Sequence, residues 1–156
     1  MNVDELSESI EKLMIIARDK QDKAELASKN NDDETLSLTL TALAMVNTSL
    51  GKRGAWATYI ARNAEQVVKS LKEESKIRVS ELTLEYSLAS PVGRSEHQAK
   101  VDTHKEYKDK INEAFKAWSD AQQVADEVES LGYRLDSYLK LCQSRLSLMK
   151  SEKRNG

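Results

Sequence analysis

A single apolar stripe near the C-terminal end constrains the fold of this chain more than any other feature. Apolar or small residues recur there at alternating steps of four and three, and no charged residue occupies one of these positions. This spacing predicts a helix, roughly 60 Å long at 1.5 Å per residue, with one face turned toward partner helices throughout. We call this stripe the C-terminal seam; its positions are Tyr107, Ile111, Ala114, Trp118, Ala121, Ala125, Val128, Gly132, Leu135, Leu139, Cys142, Leu146 and Met149.

The composition extends the helical prediction to the rest of the chain. The 156 residues include only 5 Gly and 1 Pro, too few turn formers for a β-rich fold, whereas 32% of the residues are charged. We therefore expect an all-α fold of long antiparallel helical hairpins that resemble coiled coils. Because an apolar fraction of 39% predicts a slender core, the chain is expected to complete its burial by forming a homo-oligomer.

The chain is predicted to form two helical hairpins, an acidic one in residues 1–50 and a longer one in residues 51–156. The first 34 residues hold ten acids and five bases, which gives this part its acidic character. Gly51 and Gly54 lie at the boundary, and each costs about 1 kcal/mol in a helix interior. They are therefore expected to form either a tight turn or a bend in a longer helix.

Turn and cap signals divide these hairpins into helices. Asp32 or Asp33 is expected to cap the second helix, because Asp prefers caps to helix interiors. Pro91, the only proline, predicts the clearest break in the chain. Ser95 and Gln98 have the spacing of a capping box and predict the start of the last helix.

No constellation of catalytic or metal-ligating residues stands out in the sequence. His97 and His104 lack the spacing of a metal-binding pair, and the single cysteine, Cys142, lies on the seam, where a small buried residue is expected. We therefore expect no enzyme activity, no metal and no cofactor. One cysteine and a start without an apolar leader are typical of a cytoplasmic protein, and no segment is apolar enough to span a membrane.

Basic residues around the predicted tip of the second hairpin form a candidate binding surface. If the chain turns near residue 91, they approach one another and suit sequence-independent contact with phosphate groups. Acidic residues alternate with them, so the same pattern is also typical of a solvated surface held by ion pairs. The candidate DNA-binding residues are Lys69, Lys72, Lys76, Arg78, Arg94 and Lys100.

The end of the C-terminal seam is a candidate contact surface. Small residues dominate the middle of the seam, while its last third is bulky. This last third is expected to form an oligomer interface or, alternatively, the place where the N-terminal hairpin docks. Its members are Leu135, Leu139, Cys142, Leu146 and Met149. The polar residues 150–156 that follow are expected to fray.

Several short motifs follow one another within residues 57–152. A Lys-x-Arg-apolar step, Lys76-Ile77-Arg78-Val79, precedes Gly93-Arg94, and Lys100-Val101-Asp102-Thr103 comes next. The long last helix then carries Ser144-Arg145 before an ending of apolar and basic residues. In this order the motifs resemble those of the UvsY-type recombination mediators of bacteriophages.

The resemblance implies an all-helical protein that forms subunit rings and binds single-stranded DNA in the cytoplasm of a host cell. Lys76 and Arg78 would be the DNA-contacting step, and the protein partners would be a recombinase and a single-strand-binding protein. The mediator would load the recombinase onto DNA coated by the single-strand-binding protein. Two other functions stay open: a structural or scaffolding coiled-coil protein, and a small phage adaptor or inhibitor that acts by protein–protein contact.

Overall fold

The computed structural model describes residues 1–90 and 93–156, and these residues form three long α-helices. The helices are α1 (Val3–Lys29), α2 (Asp33–Ala89) and α3 (Ser95–Asn155). The predicted all-α fold is confirmed. Pro91, where the clearest break was predicted, lies outside the described residues.

Polar side chains cap the first two helices. The side chain of Asn2 accepts a hydrogen bond from Glu5 N (2.8 Å), and Asn2 N donates to Glu5 Oε2 (2.9 Å), which completes a capping box that the sequence analysis missed. At α2, Asp32 Oδ1 accepts a hydrogen bond from Thr35 N (3.1 Å), so Asp32 is the predicted cap. Hydrogen bonds from Thr35 lower the pKa of the Asp32 carboxyl.

The predicted capping box at the start of α3 is wrong, although the helix starts at Ser95. Gln98 N donates to the carbonyl oxygen of Arg94 (3.0 Å), so Ser95 already lies in the first helical turn. The Gln98 side chain instead donates to Asp102 Oδ1 (2.9 Å), one turn further along the helix. The last residues do not fray either, because α3 continues to Asn155.

Of the two alternatives predicted for Gly51–Gly54, the tight turn is wrong, because α2 passes through these residues as one continuous helix; the bend stays a prediction. A Cβ atom at Gly54 would lie 2.9 Å from Val128 Cγ1, whereas one at Gly51 would meet nothing within 4 Å. Gly54 therefore permits a close approach of α2 and α3. Packing outweighs the helix-breaking preference of glycine at this position.

The helices divide into two compact units that differ from the two predicted hairpins. Unit 1 comprises residues 1–58 and 123–156, and unit 2 comprises residues 59–122. Within α2 the division falls between residues 58 and 59 and not at residue 50. The C-terminal part of α3 instead belongs to the same unit as the N-terminal residues.

Unit 1 is a three-helix bundle in which α1 contacts both other helices. Tyr138 Oη donates to the carbonyl oxygen of Gln21 (3.1 Å), and Arg53 Nε donates to Ser9 Oγ (3.0 Å). Burial raises the pKa of Tyr138, and the neighbouring Cys142 acts in the same direction. The buried apolar side chains are Leu6, Ile10, Ala17, Ala24, Ala27, Leu36, Leu40, Leu43, Val46, Leu50, Ala57, Val124, Ala125, Val128, Leu135, Leu139 and Met149.

The bulky end of the C-terminal seam belongs to this core. Leu135, Leu139 and Met149 are only 2%, 6% and 2% exposed within the single chain, and Cys142 and Leu146 are half-buried. These side chains were predicted as an oligomer interface or as a docking place for the N-terminal hairpin. Their burial in unit 1, which also contains residues 1–58, agrees with the second alternative, and the oligomer interface stays a prediction.

Two polar side chains of α3, Arg145 and Lys153, hold its C-terminal part to the residues around the turn between α1 and α2. Arg145 Nη2 donates to Asn31 Oδ1 (2.9 Å), and Arg145 Nε donates to Ser28 Oγ (3.3 Å). Nearer the end of α3, Lys153 pairs with Asp33. This second contact explains why residues predicted to fray continue the helix.

Unit 2 is an antiparallel pair formed by the second part of α2 and the first part of α3. Arg78 contacts Glu106, and Tyr86 contacts Asp102, so residue numbers rise on one helix as they fall on the other. The core is thin; its buried side chains are Ala61, Val68, Leu82, Ala99, Thr103 and Ala121. All thirteen positions of the C-terminal seam, which lie in the described part of the chain, are buried or half-buried.

Candidate nucleic-acid interface

All six predicted DNA-binding residues belong to unit 2. Lys69, Lys72, Lys76 and Arg78 lie on α2, Arg94 immediately precedes α3, and Lys100 lies near the start of α3. The side chains of Lys69, Lys76 and Lys100 are 62%, 75% and 62% exposed, and Lys72 and Arg94 are exposed as well. These five side chains are therefore accessible to a ligand.

Ion pairs along the same helix engage three of the lysines. Lys69 Nζ lies 3.3 Å from Glu65 Oε1, Lys76 Nζ lies 3.1 Å from Glu73 Oε1, and Lys100 lies 3.1 Å from Glu96. Exposed pairs of this kind contribute about 0.3–0.5 kcal/mol each. Such weak pairs can open when a phosphate group approaches the lysine.

Arg78 is held more firmly than the lysines, because it joins the two helices. Its Nε lies 3.4 Å from Glu106 Oε2 on α3, and its Nη1 lies 3.4 Å from Glu81 Oε2 on α2. Partial desolvation lowers the pKa of Arg78, but the hydrogen bonds and charges of Glu81 and Glu106 outweigh it, and the net shift is upward. Arg78 therefore stabilises unit 2 in addition to any contact with a ligand.

Lys72 and Arg94 have no ion-pair partner within residues 1–90 and 93–156. Lys72 lies between Lys69 and Lys76 on one face of α2, since the three follow the three- and four-residue steps of a helix. Arg94 has a backbone φ of 112°, which is uncommon for a residue other than glycine. These two residues carry the least compensated positive charges of the six.

A polar cluster that the sequence analysis missed lies beside this basic surface. Tyr86 Oη donates to Asp102 Oδ2 (2.6 Å), and Gln98 Nε2 donates to Asp102 Oδ1 (2.9 Å). The hydrogen bond from Tyr86 lowers the pKa of Asp102 and raises the pKa of Tyr86 itself. The cross-helix register, which pairs Arg78 with Glu106, is the signal needed to find the partner of Tyr86.

A cavity of about 250 Å³ adjoins this cluster near the end of the helical pair. Tyr86, Ser90, Gly93, Arg94, Ser95 and Gln98 line it. Arg94 is the only charged group among these lining residues. The cavity thus combines the Arg94 guanidinium with hydroxyl and amide groups. Such a set can bind a single phosphate group or the polar edge of a ligand.

The overall charge of unit 2 is balanced. Residues 59–122 hold eleven Lys and Arg and eleven Asp and Glu, so their formal net charge is zero. Because these charges sum to zero, unit 2 as a whole produces no long-range positive potential. A polyanion must therefore be bound by local clusters of positive side chains. The exposed face of Lys69, Lys72 and Lys76 is such a local group.

Within the described residues no group of His, Cys, Asp and Glu side chains is arranged to hold a metal ion, and no helix is long and apolar enough to cross a membrane. Comparisons with family models, with curated proteins and with solved structures find no match to this chain.

Proposed function

We propose that this chain is a non-enzymatic recombination mediator that binds single-stranded DNA through unit 2 and assists the loading of a recombinase. The observation that carries the proposal is the exposed lysine face of α2, formed by Lys69, Lys72 and Lys76. Because the pairs that hold two of these lysines are weak, phosphate groups can replace the carboxylates at little cost. The order of motifs that resembles UvsY-type mediators supports the same function.

The proposed partners are single-stranded DNA, a recombinase and a single-strand-binding protein, and the proposed active form is a homo-oligomer. In an oligomer each lysine face is repeated, and several weak contacts along one strand then add up to useful affinity. Repetition matters here, because unit 2 has no net positive charge with which to bind DNA as a monomer.

The balanced charge of unit 2 favours a second candidate function, that of a scaffolding protein whose only ligands are proteins. In this case the ion pairs of Lys69, Lys76 and Lys100 are permanent features of a solvated surface. The two functions make opposite predictions for DNA binding at low salt.

Fluorescence anisotropy with a labelled oligo(dT) tests the proposal. Binding should weaken steeply with salt, because each phosphate that a lysine neutralises adds roughly 0.7 to the slope of log K against log salt. Replacing Lys69, Lys72 and Lys76 together by Ala should therefore reduce this slope by about 2 for each subunit that contacts the DNA. This variant avoids Arg78, whose removal would also break the contact with Glu106.

A matched control removes the same amount of charge from unit 1. Lys12, Lys23 and Lys29 are exposed on α1, and their joint replacement by Ala should leave the salt slope unchanged. An equal loss of binding in both variants, or no binding at low salt, would refute the proposed function and favour the scaffolding protein. A recombinase-loading assay on DNA coated with single-strand-binding protein then tests the mediator role itself.

A further inference from the structure

An uncharged, exposed face of α2 in unit 1 has no role in the function proposed above. Residues 35–51 contain no charged residue, although charged residues make up 32% of the chain. Part of this segment forms the core, but Leu38 and Met45 are on the opposite side and are 69% and 68% exposed. Large apolar side chains with this exposure are a mark of an interaction surface when they lie together.

Two threonines on the same face of α2, Thr41 and Thr48, extend its apolar character. Thr41 Oγ1 donates to the carbonyl oxygen of Ser37, and Thr48 Oγ1 donates to that of Ala44, both at 3.1 Å. Because each hydroxyl is bound to its own helix, it has less need of water or of a partner's polar group. Within residues 35–51 the residues that flank the face are small: Thr35, Ser37, Ala42, Ala44, Ser49 and Gly51. A second helix can therefore approach closely.

Opposite charges stand at the two ends of the same face. Glu34, Leu38, Thr41, Met45, Thr48 and Lys52 are all exposed, and they follow one another by steps of 4, 3, 4, 3 and 4. We call these six residues the α2 outer stripe. Neither Glu34 nor Lys52 forms an ion pair with any residue that the structure describes.

The sequence of steps in the α2 outer stripe reads the same in both directions. When two copies lie antiparallel, Glu34 of one copy meets Lys52 of the other at both ends. Leu38 then faces Thr48, and Thr41 faces Met45, so each large side chain packs against a smaller one. A parallel arrangement would instead place Glu34 next to Glu34 and Lys52 next to Lys52.

We propose that the α2 outer stripe is the interface of an antiparallel homodimer, with Glu34 paired to Lys52 of the second copy at each end. The dimer axis passes beside the midpoint of the stripe, near residue 43. This interface lies in unit 1 and uses no residue of the lysine face. Loss of DNA binding through the lysine face therefore leaves this dimer intact, whereas loss of the dimer removes the repetition on which the proposed DNA binding rests.

Cysteine cross-linking tests the orientation directly. Glu34→Cys and Lys52→Cys are combined in a Cys142→Ser background, so that only the two new thiols can react. Within one helix these positions are roughly 27 Å apart, too far for an intrachain disulfide. Mild oxidation should convert the double variant to a covalent dimer of twice the 17.6 kDa chain mass, while each single-cysteine variant stays monomeric on a denaturing gel. Equal cross-linking of the Glu34→Cys variant alone, or none in the double variant, overturns the antiparallel dimer.

Charge exchange tests the end pairs without altering the apolar centre. Glu34→Lys alone and Lys52→Glu alone should each raise the dimer dissociation constant, about tenfold, because two attractive pairs become repulsive. The combined variant E34K/K52E should restore the wild-type value, and thermal unfolding shows whether each variant is folded. A wild-type mass of 17.6 kDa at all concentrations in analytical ultracentrifugation overturns the proposal. The α2 outer stripe would then be a contact surface for a different protein.

Discussion

Because α2 and α3 approach closely at Gly54, we expect alanine substitutions at two glycines only three residues apart to change the free energy of unfolding in opposite directions. At Gly51 a Cβ atom meets nothing within 4 Å, so Gly51→Ala should stabilise the fold by about 0.5–1 kcal/mol through helix propensity. At Gly54 the same gain is opposed by a contact of 2.9 Å with Val128 Cγ1. Overpacking of this kind costs about 1–3 kcal/mol, so Gly54→Ala should be destabilising by about 1 kcal/mol.

Urea unfolding followed by circular dichroism, at one protein concentration for all variants, measures the difference. Gly132→Ala is a second control, because its new Cβ atom would lie at an ordinary 3.8 Å from Asn47 Oδ1. In a Val128→Ala background the clash is removed, and Gly54→Ala should then become neutral or stabilising. If Gly54→Ala stabilises the wild-type protein as much as Gly51→Ala does, α2 and α3 are not in close contact at residue 54. That result would contradict the packing described for unit 1.

Two further predictions concern polar groups between the helices. Thr103 is 1% exposed, and its Oγ1 has no hydrogen-bond partner among the described residues, so Thr103→Val should raise the free energy of unfolding by about 1 kcal/mol. Thr39 is also buried but donates to the carbonyl oxygen of Thr35 (2.7 Å), so Thr39→Val should bring no such gain; equal effects of the two changes in urea unfolding would contradict the assignment. The lowered pKa of Asp102 means that its hydrogen bond with Tyr86 stabilises the fold above the carboxyl's ordinary pKa and is lost as the pH falls through the lowered value. Tyr86→Phe should therefore raise the pKa of Asp102 toward 3.8 and reduce the loss of stability in acid, as measured by carboxyl NMR and by unfolding at a series of pH values; an unchanged pKa would show that the hydrogen bond is not formed.

The helical architecture could be predicted from the sequence, because it depends on a local period. The C-terminal seam identified the inward face of α3 correctly from the spacing of its apolar residues, and none of its positions proved exposed in the described chain. The predicted cap of α2 and the predicted start of α3 were also near their observed positions. The capping preferences of Asp and Ser depend only on neighbouring residues. Such features need no knowledge of which helices meet.

The features that depend on contacts between distant residues were not predictable in the same way. The close approach of the helices at Gly54 involves Val128, which lies far away in the sequence. The contacts of Arg78 with Glu106 and of Tyr86 with Asp102 require the register between two helices, which the seam period alone leaves open. Among the ion pairs of the basic surface, that of Arg78 with Glu106 depends on this register, whereas those of Lys69, Lys76 and Lys100 lie within one helix.

Native mass spectrometry with and without a single-stranded oligonucleotide tests the central claim most directly, because it measures assembly and ligand together. The proposed function predicts an oligomer of the 17.6 kDa chain that binds the oligonucleotide at low salt, and much weaker binding when Lys69, Lys72 and Lys76 are replaced by Ala. Protein that shows no bound oligonucleotide at any salt concentration would contradict it.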